Sequence, residues 1–297
     1  MKINKIIFST SDGLEYSPFW NLQSLVWSSM GIEPICLLWG DRSKTNLSEK
    51  YGKVIEKKFD PDLPEVIQIT WSKFDYPKTE PETTWMIGDI DMLPLQRNYF
   101  IDQIKNEDEN SYLHLNAGGI SVPRRGKIDA WLTEGPAVYH RDNGSNHTGA
   151  DLPGHYHISK GKNFIDLYDL TISYKEQIER LTKSHRYGYG TFEGRPKEDA
   201  LTDPTWYYWC AEENYSSEKL WNAVKQEKIN FKGYCYNNSN FGNRIDRSHW
   251  NEEYADYTYN PEELKTNKKV DIHCARPYEK QQVALLKIIE LSGVLNK

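Results

Sequence analysis

The first third of the chain alternates short apolar runs with stretches of helical periodicity, and that alternation leaves few architectures open. Lys5 to Ser9 reads as a buried strand, followed by a polar turn at Thr10 to Gly13. Phe19, Leu22, Val26 and Met30 then recur at helical spacing up to Gly31, which suits a helix C-terminus. Ile35-Cys36-Leu37-Leu38-Trp39 reads as a second strand. Leu63, Val66, Ile67, Trp71 and Phe74 mark another helix, although Val66 to Trp71 also fits an extended segment. Thr84 to Ile87 is a third strand, running directly into Gly88-Asp89-Ile90-Asp91. A β-α-β-α-β order predicts an α/β fold, with a mostly parallel central sheet flanked by helices. Ligands are then expected at the carboxyl ends of the strands.

The remainder is less regular. Tyr112 to Leu115 and Ile120 to Val122 read as short strands flanking Asn116-Ala117-Gly118-Gly119. His140 to Gly161 is rich in His, Asp, Asn and Gly and reads as one long loop, of the kind that closes over ligands. Phe164 to Leu181 is expected to be one helix, and Trp206 to Val224 a helix broken near Ser216. Val270 to His273 reads as a late strand. A final helix over Glu279 to Leu291 would put Val283, Leu286 and Ile289 on one face and Glu290 towards solvent. No repeat or low-complexity linker interrupts residues 1–297, so a single domain is expected.

Composition narrows the ligand. The 297 residues carry a net charge of −6, with no basic block of the kind that binds nucleic acid. An anionic ligand must therefore be met locally, by a metal ion or a few Lys and Arg. The 20 Tyr and 10 Trp suit ligands that combine polar groups with an apolar face, as sugars and bases do. Ile6-Ile7-Phe8 is too short for a secretory signal, and no run approaches the ~20 apolar residues of a membrane span. Cys36, Cys210, Cys235 and Cys274 lack zinc-type spacing. A reduced, cytoplasmic setting is expected.

The segment Trp85-Met86-Ile87-Gly88-Asp89-Ile90-Asp91-Met92-Leu93-Pro94-Leu95 concentrates the chemistry. It delivers two carboxylates, one residue apart, to the end of an apolar strand. Charge is costly there unless it is used. Hard oxygen donors of this type suit Mg²⁺ or Mn²⁺, especially when phosphate oxygens complete the shell.

In this segment the chain resembles the GT-A glycosyltransferases, whose D-x-D motif binds a divalent ion bridging the donor diphosphate. The resemblance extends, as an ordered set of weak motifs, over nearly the whole length. It implies a Rossmann-like GT-A fold with a nucleotide-binding half at about 1–95 and an acceptor-binding half at about 96–297. It also implies a UDP- or GDP-linked sugar donor and a glycan acceptor. Ser9-Thr10-Ser11-Asp12 with Tyr16 looks like the nucleotide pocket, Tyr16 stacking on the base and Asp12 accepting from base or ribose. Lys73 matches a basic residue near the donor. Asn116 and Gly118 belong to a turn like the N-A-G turn beside the donor sugar.

Asp271-Ile272-His273-Cys274-Ala275-Arg276-Pro277 resembles the segment that supplies a metal-ligating His. This makes Asp89, Asp91 and His273 the implied metal set, with Mn²⁺ preferred over Mg²⁺, and Arg276 a diphosphate contact. Glu212 and Glu213 resemble the acidic pair of inverting members. In an inverting enzyme Glu213 is then the base for the acceptor hydroxyl and Glu212 orients hydroxyls, whereas retaining members, which share the N-A-G turn and the late His, need no such base. Asn243 to Arg247 with Trp250 could bind acceptor or cover the donor, or form a surface ion-pair cluster.

Two other readings compete. His140, His147, His155 and His157, with Asp142 and Asp151, could hold zinc for a hydrolase, although the spacing matches no helical zinc motif. The aromatic residues alone would suit a non-catalytic carbohydrate-binding protein, which leaves the strand-end D-x-D unexplained.

Overall fold

The computed structural model describes residues 1–13, 15–115, 131–133, 135–136, 152–183, 211–234, 243–266 and 268–296. In chain order the strands are β1 (Lys5–Ser11), β2 (Glu33–Trp39), β3 (Lys53–Lys57), β4 (Thr84–Ile87), β5 (Met92–Pro94), β6 (Tyr112–Leu115), β7 (His157–Lys160), β8 (Phe231–Tyr234), β9 (Asn243–Ile245), β10 (Trp250–Asn251), β11 (Asp256–Tyr257) and β12 (Lys269–His273). The helices are α1 (Trp20–Ser29), α2 (Glu65–Asp75), α3 (Arg97–Phe100), α4 (Gly161–Tyr168), α5 (Tyr174–Lys183), α6 (Ala211–Lys225), α7 (Pro261–Lys265) and α8 (Tyr278–Ser292). The chain forms two compact units: Met1–Lys58, Thr84–Glu109 and Tyr236–Lys297 make the first, and Phe59–Thr83 and Asn110–Cys235 the second.

The first unit is the α/β layer that the opening alternation predicts. Its strands lie in the order β3-β2-β1-β4, every neighbouring pair parallel. Ile6, Ile7, Phe8 and the Cys36-Leu37-Leu38 run are buried, as continuous apolar strands covered by helices must be. Helix α1 packs on β2, and its Trp20 meets Phe8 edge-on at 6.3 Å. A second, three-stranded sheet in this unit runs β5-β12-β9, with β12 antiparallel to β5 and parallel to β9.

The second unit pairs β6 with β7 antiparallel and with β8 parallel. Its helices α2, α4, α5 and α6 pack on one another around Trp71. That ring stacks on Phe74 at 5.4 Å and meets Tyr168 and Tyr215 edge-on, while its Nε1 donates to Gln177. Residues 65–75 are helical, which decides between the two readings of Val66 to Trp71.

Four sequence expectations change. The single helix over Phe164 to Leu181 is two, because Asp169 turns left-handed at φ 54° and Ser173 begins α5, bonding the Glu176 carboxylate through both its N–H and its hydroxyl. Helix α6 continues through Ser216, whose hydroxyl bonds back to the Glu213 carbonyl within the helix. The stretch expected as loop up to Gly161 contains β7, pinned by buried cross-strand partners on β6.

On α8 the buried face is Gln281, Ala284, Leu285, Ile288, Ile289 and Ser292, a helical stripe that includes Ile289. Val283 is 81% exposed and Leu286 46%. Their spacing of three mimics a face, but the four-residue steps of the true stripe leave both outside it. Among the described residues no helix is long and apolar enough to cross a membrane.

Candidate functional site

Backbone geometry sets the D-x-D turn before any side chain acts. Strand β4 ends beside Phe8, and a β carbon at Gly88 would come within 2.5 Å of that ring, so only glycine passes. The Gly88 N–H then bonds to Ile7. The Ile90 carbonyl is held by the Gln23 side-chain amide of α1 at 3.0 Å, and Gln23 in turn accepts from Trp27 Nε1. The Met92 N–H closes the turn on the Asp89 carbonyl.

Strand β12 brings the late segment to this turn. His273 pairs with Met92, and the Cys274 N–H bonds to the Asp91 carbonyl at 2.8 Å. This register sets His273 Nε2 3.5 Å from Asp91 Oδ2. Strand β9, parallel to β12 on its other side, delivers Asp246, whose Oδ2 lies 3.3 Å from His273 Nδ1. Asp246 also caps the short turn that follows, its Oδ1 accepting from the Ser248 N–H.

Burial alone would push the His273 imidazole towards neutrality. The hydrogen bonds to Asp246 and Asp91 outweigh it and hold its pKa up at about 9. His273 in turn holds the Asp246 carboxyl well below the usual carboxylate range, more strongly than burial raises it. The two flanking carboxylates thus favour the protonated form of the imidazole over the neutral one.

The donor chemistry fits a divalent ion at two points. Ligands at right angles around such an ion stand about 3 Å apart, close to the 3.5 Å between Asp91 and His273. One imidazole nitrogen and one carboxylate are donors of the kind that divalent metal ions take. Asp246 on the far ring nitrogen is the outer partner that metal-ligating histidines use. Asp89 is half-buried two residues upstream, and among the described residues no three His, Cys, Asp or Glu side chains gather as a set that could hold a metal. The protein thus brings together Asp91 and His273 of the expected trio.

The other expected donor residues fall as follows. Tyr16 is buried, and Arg276 lies over its ring, 4.6 Å from the centroid. Burial, with Asp91 and then Asp89 nearby, raises the Tyr16 hydroxyl far above its ordinary pKa. Asp12 turns its carboxylate to the start of the loop after β2, accepting from the Asp41 N–H at 3.0 Å and facing Lys44. Gly40 makes room, since a β carbon there would strike that carboxylate. Thr10 is buried, with no hydrogen-bond partner for its hydroxyl among the described residues.

Lys73 belongs to α2 in the second unit and is buried. Glu212 and Glu213 open α6 in the same unit, where Glu213 Oε1 accepts from the Gly154 N–H at 2.9 Å. Asn116 and Gly118 lie outside the described residues, as do His140, His147, Asp142 and Asp151. Of the rival histidine set, His157 is committed elsewhere: it is fully buried, with Nε2 on the Pro153 carbonyl and Nδ1 on the Tyr112 hydroxyl.

Sequence reasoning missed Asp246 as the partner of His273. The local pattern, an Asp two residues before Ser and three before His, marks Asp246 only as a turn cap and not as a partner of His273.

No family model matches the chain, and no curated protein matches it. Among solved structures it is similar to the galactosyltransferase LgtC in complex with donor and acceptor sugar analogs, with 13% identity and a TM-score of 0.45, covering 99% of this chain and 96% of that one. It is also similar to the apo-form glycosyltransferase GlyE of Streptococcus pneumoniae TIGR4, with 10% identity and a TM-score of 0.36, covering 78% and 45%. Both are glycosyltransferases. Likenesses of this size leave the function to be argued from the site's own side chains.

Proposed function

We propose that the chain is a glycosyltransferase that takes a sugar from a UDP- or GDP-linked donor and passes it to a hydroxyl of a glycan or similar acceptor. The observation that carries this reading is the Asp91–His273 pair, between the turn after β4 and the end of β12, braced from behind by Asp246. Asp91 and His273 would hold Mn²⁺ or Mg²⁺, with Asp89 beside them in sequence. A bound divalent ion supplies charge neutralisation to a departing diphosphate.

The chain's own groups do the rest. Arg276, exposed and seated on the Tyr16 ring, offers a planar guanidinium to phosphate oxygens. Tyr16, buried with its hydroxyl protonated, supports the Arg276 guanidinium from beneath. Asp12, which also braces the loop after β2, keeps its assignment as a contact to base or ribose. In the second unit Glu213 is assigned the acceptor-side base and Glu212 the orientation of hydroxyls, as the sequence resemblance implies. Lys73, Asn116 and Gly118 keep their assignments as donor contacts on the same basis.

Thermal unfolding with UDP or GDP, each with and without Mn²⁺, tests the reading. A ligand that binds only the folded state raises the melting temperature by mass action. A rise is expected only when nucleotide and metal are present together. Equal melting temperatures in all conditions would overturn it.

A further inference from the structure

The second unit contains a buried histidine pair that the proposed reaction does not use. His114 on β6 and His157 on β7 are direct cross-strand partners, with ring centroids 4.5 Å apart and planes nearly perpendicular. Both are fully buried. Both direct Nε2 at one oxygen, the carbonyl of Pro153, at 3.0 Å and 2.8 Å. A carbonyl only accepts, so each imidazole carries its proton on Nε2, and the two lone pairs of the oxygen accommodate both. His157 Nδ1 then accepts from the Tyr112 hydroxyl, which is bonded to the Tyr168 hydroxyl at 2.8 Å.

The other side of the same peptide is also occupied. The Gly154 N–H, planar with the Pro153 carbonyl, donates to Glu213 Oε1 at 2.9 Å. A β carbon at position 154 would stand 2.9 Å from Glu213 Cγ and 3.6 Å from Glu212 Oε1, so the backbone lies directly against the acidic pair. Because the peptide is rigid, fixing its oxygen fixes the direction of its N–H. An apolar pair would fill the space of two buried imidazoles without their desolvation cost. What the imidazoles add is two N–H donors on one carbonyl.

We propose that His114 and His157 are positioning residues for Glu213, acting through the Pro153–Gly154 peptide to hold one carboxylate oxygen so that the other meets the substrate hydroxyl. The proposal rests on the reading that Glu213 carries chemistry. Burial keeps both rings neutral, driving His114 down to about 3 and His157 well below its ordinary value, which preserves the single-proton tautomer that the clamp requires.

The test compares His114→Phe, His157→Phe, His157→Gln and Glu213→Gln. Gln can keep a donor near the Nε2 position, whereas Phe keeps the volume alone. Exchange of the Gly154 amide is followed by NMR on glycine-labelled protein. Turnover is measured with Mn²⁺ over UDP-glucose, UDP-galactose and GDP-mannose. Each Phe variant should speed Gly154 exchange at least ~10-fold and lower kcat with donor KM unchanged, and His157→Gln should restore most of both.

Where a Phe variant does not fold, Gly154→Ala displaces the peptide from the other side and should lower kcat in the same way. Unchanged Gly154 exchange in both Phe variants, or faster exchange with unaltered kcat, overturns the proposal even when Glu213→Gln is inactive. Full turnover in Glu213→Gln removes instead the reading of Glu213 on which the proposal stands, whatever the exchange rates.

Discussion

Asp246 stands 3.3 Å from Nδ1 of His273, delivered by a strand running parallel to the one that carries the histidine. A carboxylate there fixes the ring's orientation and directs Nε2 at Asp91. Asp246→Asn should leave the fold intact and weaken Mn²⁺ affinity by ~10–100-fold, the usual cost of losing such an outer partner. Titration of Mn²⁺ in the presence of UDP measures it, and an unchanged affinity would make Asp246 a turn cap only.

Asp91→Asn removes a charged donor without changing shape. Mn²⁺-dependent nucleotide binding should disappear while the circular dichroism spectrum stays that of the parent. His273→Ala should weaken metal binding less completely. Normal sugar transfer by Asp91→Asn would refute the D-x-D assignment.

The buried ion pair beneath the site sets a stability expectation. Arg244 Nη2 lies 3.3 Å from Asp271 Oδ2, both essentially inaccessible to water. Removing one partner of such a pair deprives the other of its compensating charge, at a cost of about 3–5 kcal/mol. Asp271→Ala should therefore lower the urea midpoint strongly. Because these residues sit on β9 and β12, it should loosen the Asp246–His273 contact too. A midpoint within error of the parent would show that other partners of Arg244 suffice.

Acid should destabilise the second unit through His114 and His157. Both have folded-state pKa values depressed by burial, so they are neutral when folded and free to protonate once unfolded. Their contribution is complete above the ordinary histidine value of about 6.5. It is lost as pH falls below that, down to about 3 for His114. Each contributes a slope of about 1.4 kcal/mol per pH unit within its window. His155 and Lys73 add repulsion on His157 in the same direction. Urea midpoints between pH 7 and 5 should fall more steeply in the parent than in His157→Phe or His114→Phe. Parallel curves would contradict this.

The legible part of the fold was the part whose signal is local. Strand-length apolar runs such as Ile35 to Trp39, alternating with helical periodicity, call for a parallel sheet covered by helices, so β1, β2 and β4 followed from pattern. Asp91 and His273 were legible as a pair through the resemblance of their two segments to the GT-A motifs, and nothing in the spacing of the two segments alone joins them. The Asp246 contact depends on β9 lying beside β12, and nothing within Asn243 to Arg247 announces its neighbour. The break at Asp169 depends on a left-handed residue that an Asp adopts only where its flanks require it. Arg276 and Tyr16 were both singled out, but for separate contacts. Their stacking is a tertiary event with no signature in either segment.

The sheet β5-β12-β9 has a consequence for how the protein is made. Between β5 and β9 the chain leaves to build most of the second unit and then returns. During synthesis the D-x-D turn is therefore made well before its histidine, which it can meet only when β12 emerges. A nascent chain arrested before Val270 has Asp91 and Asp246 but no central strand to register them. Long-range strand pairing of this kind forms slowly. Capture of Mn²⁺ with nucleotide should thus appear late, as a marker that the whole path has been completed and not only its N-terminal layer.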